Sequence, residues 1–293
     1  MPHTRSVSRA TYLSLAAGVF FISFSALFTK WTGVPGPVSA FYRLLISTAA
    51  LLLIQAARRA PEPQLPRRVL GGVVLAALFF AADLAFWNTS LSNTSAASAT
   101  FLGNTAPVWV ALGAWLLFRE RPGRAFWIGL GLAVAGSVLI VGGDLSAGVG
   151  FREGGFLALL AGLAYAGYLL TTQHTRARID NVWYLAITSA LGALALLGLS
   201  VSRGLALWGF GAQTWLALLG LALITHVAGW LAINFALAHL PASLVSVTLL
   251  GQPVLTALLA VPLLGEDLLA LQAVGGACVL GGILVVNRWG KTT

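Results

Sequence analysis

The chain has 293 residues, 58% of them apolar and only 9% charged, with a mean hydropathy of +0.90 and a formal net charge of +9. A globular domain of that composition would have to expose apolar surface on every side, so a soluble fold is excluded and an integral membrane protein is implied. In a soluble protein the positive charge would suggest nucleic acid; here it sorts into loops, and no nucleic-acid partner is expected.

Apolar runs between polar or Pro/Gly breaks predict ten membrane helices, near 12–30, 37–56, 69–90, 94–118, 124–142, 154–173, 182–202, 213–237, 242–262 and 268–287. The runs are continuous rather than alternating, which calls for helices and not a barrel. The fold class is therefore all-α integral membrane. The single cysteine, Cys278, lies in the last run and has no internal disulfide partner.

Orientation follows from the basic residues. With the N-terminus cytoplasmic, Arg5, Arg9, Arg58, Arg59, Arg67, Arg68, Arg119, Arg121, Arg124, Arg176, Arg178, Arg288 and Lys291 fall on the inner side. Lys30, Arg152 and Arg203 fall outside, and Arg43 lies within the second span. Both termini are expected in the cytoplasm.

The stretch from Asn88 to Glu120 occurs twice. A shift of 146 positions carries it onto Asn234 to Glu266, laying Leu91 on Leu237, Pro107 on Pro253 and Glu120 on Glu266. The register continues through Gly129 onto Gly275 and Gly136 onto Gly282. The front ends also correspond, residues 16–30 with 160–174, at a shift of 144. The chain is thus expected to be two five-helix repeats, 1–147 and 148–293, in one membrane unit. Five crossings per copy would insert the second upside down, an arrangement suited to alternating access around a central cavity.

Each copy has an apolar helix interrupted by proline. Pro107 removes an amide and frees a carbonyl near Gly103, with Asn104 and Thr105 in the same turn; Gly251 and Gln252 precede Pro253. Both prolines are expected to act as hinges, although a packing kink would leave the same mark. Glu120 and Glu266 sit where they favour the positive helix N-termini that follow.

Of the acidic residues only Asp83 falls inside a span, which makes it a candidate site residue. At about 1.5 Å per residue it lies at the same depth as Arg43, so a structural ion pair and a substrate role both stand. Phe79, Phe80 and Trp87 share its face of the helix. In the second copy His226, Trp230 and Asn234 follow one another at four-residue spacing, and such a face is not expected to meet lipid. His226 can be a hydrogen-bonded core residue, a site residue or a proton carrier. Tyr165 and Tyr168 correspond to Phe21 and Phe24, giving aromatic walls in both halves, and Phe101 adds a ring beside Asn104.

The proline positions, the acidic residues opening the fifth and tenth spans, the runs IGLGLAVAGSVLIVGG and VGGACVLGGILVVN, and Pro37 and Arg43 in the second span resemble the EamA-type carriers of the drug/metabolite transporter superfamily. Within it, the chain resembles the YddG-type exporters of aromatic amino acids. The resemblance implies a bacterial inner-membrane exporter with a cavity lined by spans 1, 3, 4, 6, 8 and 9, and a small-molecule substrate, aromatic or other neutral amino acids. Asn104, Asp83 or His226 would meet the polar head and the aromatic residues the side chain. Small multidrug carriers of that superfamily use a carboxylate in their first helix, which spans 1 and 6 lack here; a proton-coupled exporter of drugs or organic cations is the alternative and would have to use Asp83 or His226. An intramembrane enzyme is disfavoured, because G-x-S-x-G and H-E-x-x-H patterns are missing. No cofactor and no metal are expected. Besides the substrate the expected partners are the lipid bilayer and, for the alternative, protons, with the duplication supplying inside a monomer the pairing that shorter relatives gain by dimerising.

Overall fold

A computed structural model describes residues 8–63, 65–93, 102–103, 105–118, 122–145, 153–264 and 270–289. Eight helical stretches in it are long and apolar enough to cross a bilayer, and two shorter apolar helices cover Ala106–Leu117 and Arg124–Leu139. The expected fourth span begins outside the described residues at 94–101 and continues from residue 102. Glu120 and Glu266 also lie outside them.

Helix α1 (Arg9–Ile22) starts where Ser8 Oγ accepts the Ala10 amide at 3.1 Å, a serine N-cap. It stops short of the first expected span. Ser23 Oγ donates back to the Val19 carbonyl at 2.6 Å, and the chain resumes as α2 (Ser25–Thr32). A single helix over 12–30 was the sequence-based expectation; the serine that competes with the backbone ladder breaks it. Gly33, at φ 63°, ends α2 in the left-handed region that glycine enters without strain. Helix α3 (Gly36–Arg58) has Pro37 in its first turn, where the missing amide costs nothing, and α4 (Arg67–Asn93) follows.

Helix α5 (Ala106–Phe118) places Pro107 at its second position. Helices α6 (Arg124–Leu145), α7 (Glu153–Arg176) and α8 (Asn181–Ser202) come next. The Asp180 carboxylate caps α8, accepting the Val182 and Trp183 amides at 3.0 and 3.2 Å. The expected eighth span is one apolar run of three parts: α9 (Ala212–Gly220), a π-helical segment (Leu221–Trp230) and α10 (Leu231–Leu237). The π segment had no counterpart in the sequence-based reading, because wide turns leave the polar and apolar order nearly unchanged. The ninth span is broken at Leu250 into α11 (Ala242–Leu249) and α12 (Gly251–Leu264), and α13 (Ala270–Trp289) closes the described chain. Both site prolines thus open the second piece of a broken helix, where the amide they lack would be unpaired anyway.

Helix α4 packs along α7, α3 along α8, and α1 along the π segment and α10. Helices α6 and α13 form the most extensive pair, held at close range by glycine. A Cβ on Gly129 would stand 2.7 Å from the Gly282 carbonyl oxygen, and one on Gly136 would stand 2.5 Å from that of Gly275. Packing this tight is how membrane helices associate where burial from water offers no drive. Gly136→Ala is expected to lower stability by about 1–3 kcal/mol through overpacking against backbone. Gly131→Ala, with open space around it, should leave the melting temperature of the detergent-solubilised protein unchanged. Equal melting for the two variants would contradict the packing described.

Candidate functional site

An aromatic cluster occupies the meeting point of α4, α7 and the π segment. Phe80 is 2% exposed and stacks on Tyr168 with ring centroids 4.6 Å apart. Its other faces meet Trp230 at 5.0 Å and His226 at 5.4 Å. Trp230 is also edge-on to Tyr168 at 5.0 Å and to Tyr165 at 5.9 Å. Phe80 and His226 are positions related by the 146 shift, and they touch. Phe79, one residue earlier, is half-buried and covers Gly167 of α7, where a Cβ would come within 2.8 Å of its ring.

Asp83 lies one turn along α4 from Phe79 and Phe80 and is partly exposed rather than sealed in. It acts electrostatically on Arg43 of α3 and on Tyr165. Arg43 lies within electrostatic range of Tyr165, Tyr168 and His226, so the two charges border the aromatic cluster. The expected Arg43–Asp83 pair is not a direct contact. Arg43 Nη1 donates instead to Ser25 Oγ at 3.2 Å, at the start of α2, and the two charges act through space. Their matching depth, read from helix rise, brings them into range without closing the gap.

On the π-segment face, Asn234 Oδ1 accepts from the Tyr168 hydroxyl at 3.2 Å. His226 is fully buried, and its Nε2 meets Ser189 Oγ of α8 at 2.8 Å. Four buried side-chain atoms around this cluster have no hydrogen-bond partner among the described residues: Arg43 Nε, His226 Nδ1, Trp230 Nε1 and Asn234 Nδ2. His226 and Trp230 lie in the π segment and Asn234 one turn on in α10, and all three are buried; π turns recur at functional sites. The backbone of this span is tied to neighbours: Ser47 Oγ donates to the Ala222 carbonyl of the π segment at 3.1 Å and Asn181 Nδ2 to the Leu231 carbonyl of α10 at 2.7 Å.

The broken helices lie at the rim. Where the fourth span breaks, Thr105 Oγ1 donates to the Leu102 carbonyl at 2.6 Å and accepts from Trp109 Nε1 at 3.2 Å. The carbonyls of Leu102 and Gly103 lie against Gly162 of α7, three residues before Tyr165, with Trp87 on the other side of Gly103. Pro107 follows this turn, as expected. At the break of the ninth span, Gln252 Nε2 donates to the Ile22 carbonyl at 3.2 Å and Thr256 Oγ1 to that of Ser23 at 2.9 Å. Pro253 thus adjoins a hydrogen-bonded seam between α12 and the end of α1, which sequence reasoning missed. The sequence sets Gln252 in that turn, but nothing in the order of residues gives its partner.

Phe101 and Asn104 lie outside the described residues. Phe24, the counterpart of Tyr168, packs in a ladder with Phe20 and Phe28 along its own span, at 5.4 and 6.3 Å. Ser189 gave no signal in the sequence. Ser189→Ala is expected to lower stability by about 1–3 kcal/mol, because it leaves the buried His226 Nε2 without its hydrogen-bond partner. Denaturant unfolding in mild detergent checks this, and an unshifted midpoint would show that Ser189 does not hold the ring.

The chain matches the EamA-like transporter family twice, over residues 9–142 and 152–288. It is 28% identical to the uncharacterized transporter YwfM of Bacillus subtilis over 253 residues, covering 84% of this chain and 82% of that protein. It is 24% identical to the uncharacterized transporter YdfC of the same organism, covering 95% and 92% of the two chains. An uncharacterized transporter of Archaeoglobus fulgidus is 29% identical over 251 residues, covering 85% and 86%. A crystal structure at 22% identity superposes with a TM-score of 0.83 over 97% of this chain and 98% of its own, and so shares the fold. Transport across a membrane, not catalysis, is the role to which the family and these named relatives point, and this multi-pass membrane chain belongs to the EamA-like transporter family of the drug/metabolite transporter superfamily.

Proposed function

We propose that the protein is a secondary carrier that exports small neutral or zwitterionic metabolites, aromatic and other neutral amino acids foremost, in the manner of the YddG-type exporters. The observation that carries this reading is the cluster of Phe80, Tyr165, Tyr168 and Trp230 beside one partly exposed carboxylate, Asp83. Rings offer a flat apolar side chain a matching surface, and the charged border suits a polar head.

In this reading the ten spans form two inverted repeats, 1–147 and 148–293, which rock about the cluster to open it alternately to each side. Two observations support the duplication. The family matches once in each half. The Gly129–Gly282 and Gly136–Gly275 contacts exchange with one another under the 146 shift, as a two-fold axis between α6 and α13 requires. The breaks before Pro107 and Pro253 supply flexible turns for the motion. In this reading the protein works as a monomer in a bacterial inner membrane with both termini in the cytoplasm, an orientation that the loop charges support.

A second reading, a proton-coupled exporter of organic cations, is favoured by Asp83 alone, a carboxylate inside a span with no direct donor among the described residues. Counterflow in proteoliposomes separates the two. Labelled phenylalanine or tryptophan should exchange across the membrane with or without an imposed pH gradient. A cationic dye driven by the gradient, with no amino-acid exchange, would replace the first reading by the second.

A further inference from the structure

The border of the aromatic cluster carries two sets of groups whose needs are opposite. Arg43 Nε, Trp230 Nε1 and Asn234 Nδ2 are obligate donors, on residues 7%, 4% and 0% exposed, and none has an acceptor among the described residues. The Asp83 carboxylate is an acceptor alone, and no donor among the described residues reaches it. A direct Arg43–Asp83 contact would pair the two charges, yet none forms, and the guanidinium donates to Ser25 Oγ instead. The donors and the carboxylate flank the same rings: Trp230 meets Phe80 at 5.0 Å and Tyr165 at 5.9 Å, and Phe80 precedes Asp83 by three residues on one helix face.

From this juxtaposition we propose that Arg43 and Asp83 are two poles of a binding site for a zwitterion. The ligand's carboxylate accepts from the Arg43, Trp230 and Asn234 side, and its ammonium donates to Asp83. The assignment rests on the carrier reading above and narrows it, for it requires both charges on one small ligand. A lone cation would meet Asp83 and leave three buried donors unpaired. A lone anion would fill the donors, leave the carboxylate without a donor and bring a second negative charge beside it. Either costs affinity, because unpaired buried polar groups are expensive and a buried charge more so. Arg43 is then a binding residue as well as a structural one, and the side chain of the ligand lies on the Phe80, Tyr165 and Tyr168 rings.

Matched triads test this with the full-length protein in detergent, read as ligand-induced shifts of melting temperature. One triad is phenylalanine, phenethylamine and 3-phenylpropionate; the other is leucine, isopentylamine and 4-methylpentanoate. Each amino acid should protect, and its amine and acid should need roughly tenfold or more higher concentration for the same shift. Asp83→Asn should remove most of phenylalanine's advantage over 3-phenylpropionate. Because it measures a ratio within one variant, general destabilisation does not imitate it. Protection by phenethylamine or 3-phenylpropionate equal to that by phenylalanine overturns the two-pole site, while counterflow can still uphold the carrier. A zwitterion requirement for the leucine triad alone keeps the two poles and removes the aromatic preference. Protection by no member of either triad overturns the site outright.

Discussion

Inside a bilayer a polar group has no water to fall back on, and every amide, carbonyl or charge there must find its partner in the protein, in a cavity or in a ligand. That constraint shapes each irregular feature of this fold. The chain breaks its helices at Ser23, before Pro107 and at Leu250, and it widens into a π segment around His226. Where the freed backbone faces another helix, a side chain meets it. Gln252 and Thr256 serve the end of α1, Thr105 serves Leu102, and Ser47 and Asn181 serve the π-bearing span. Among the described residues four of the five unpaired buried side-chain atoms, on Arg43, His226, Trp230 and Asn234, border one aromatic cluster beside the partly exposed Asp83, the fifth being Ser243 Oγ on α11.

The surrounding architecture keeps that cluster in place. Helices α6 and α13 clasp each other through reciprocal glycine contacts that leave no room for a methyl group. Helix α3 is tied along α8 and reaches α2 through Arg43 and the π segment through Ser47.

Much of the fold was legible because hydropathy is a direct statement about solvent. Runs of apolar residues marked the helices. Asp83 stood out because a carboxylate in a span is rare, Phe80 because spacing puts it on the same helix face, and Trp230 because it follows His226 and precedes Asn234 at four-residue spacing. What stayed hidden depends on contacts between distant segments. Nothing in the run around Leu221–Trp230 distinguishes a π turn from an α turn, and the bond of Ser189 to His226 joins residues 37 positions apart. The break at Ser23 looked like continuous helix, since one serine among apolar neighbours is common in membrane spans. The Arg43–Asp83 relation was read from depth alone, which fixes height along the membrane normal but not the rotation that turns the guanidinium to Ser25.

The central claim is that the ring cluster bordered by Arg43 and Asp83 is where substrate binds. Photo-crosslinking with a diazirine-bearing phenylalanine, followed by peptide mapping, tests it most directly. Adducts on 67–93, 153–176 and 221–237, suppressed by excess unlabelled phenylalanine, are the predicted result. Adducts elsewhere, or adducts on those segments that excess phenylalanine does not suppress, would contradict it.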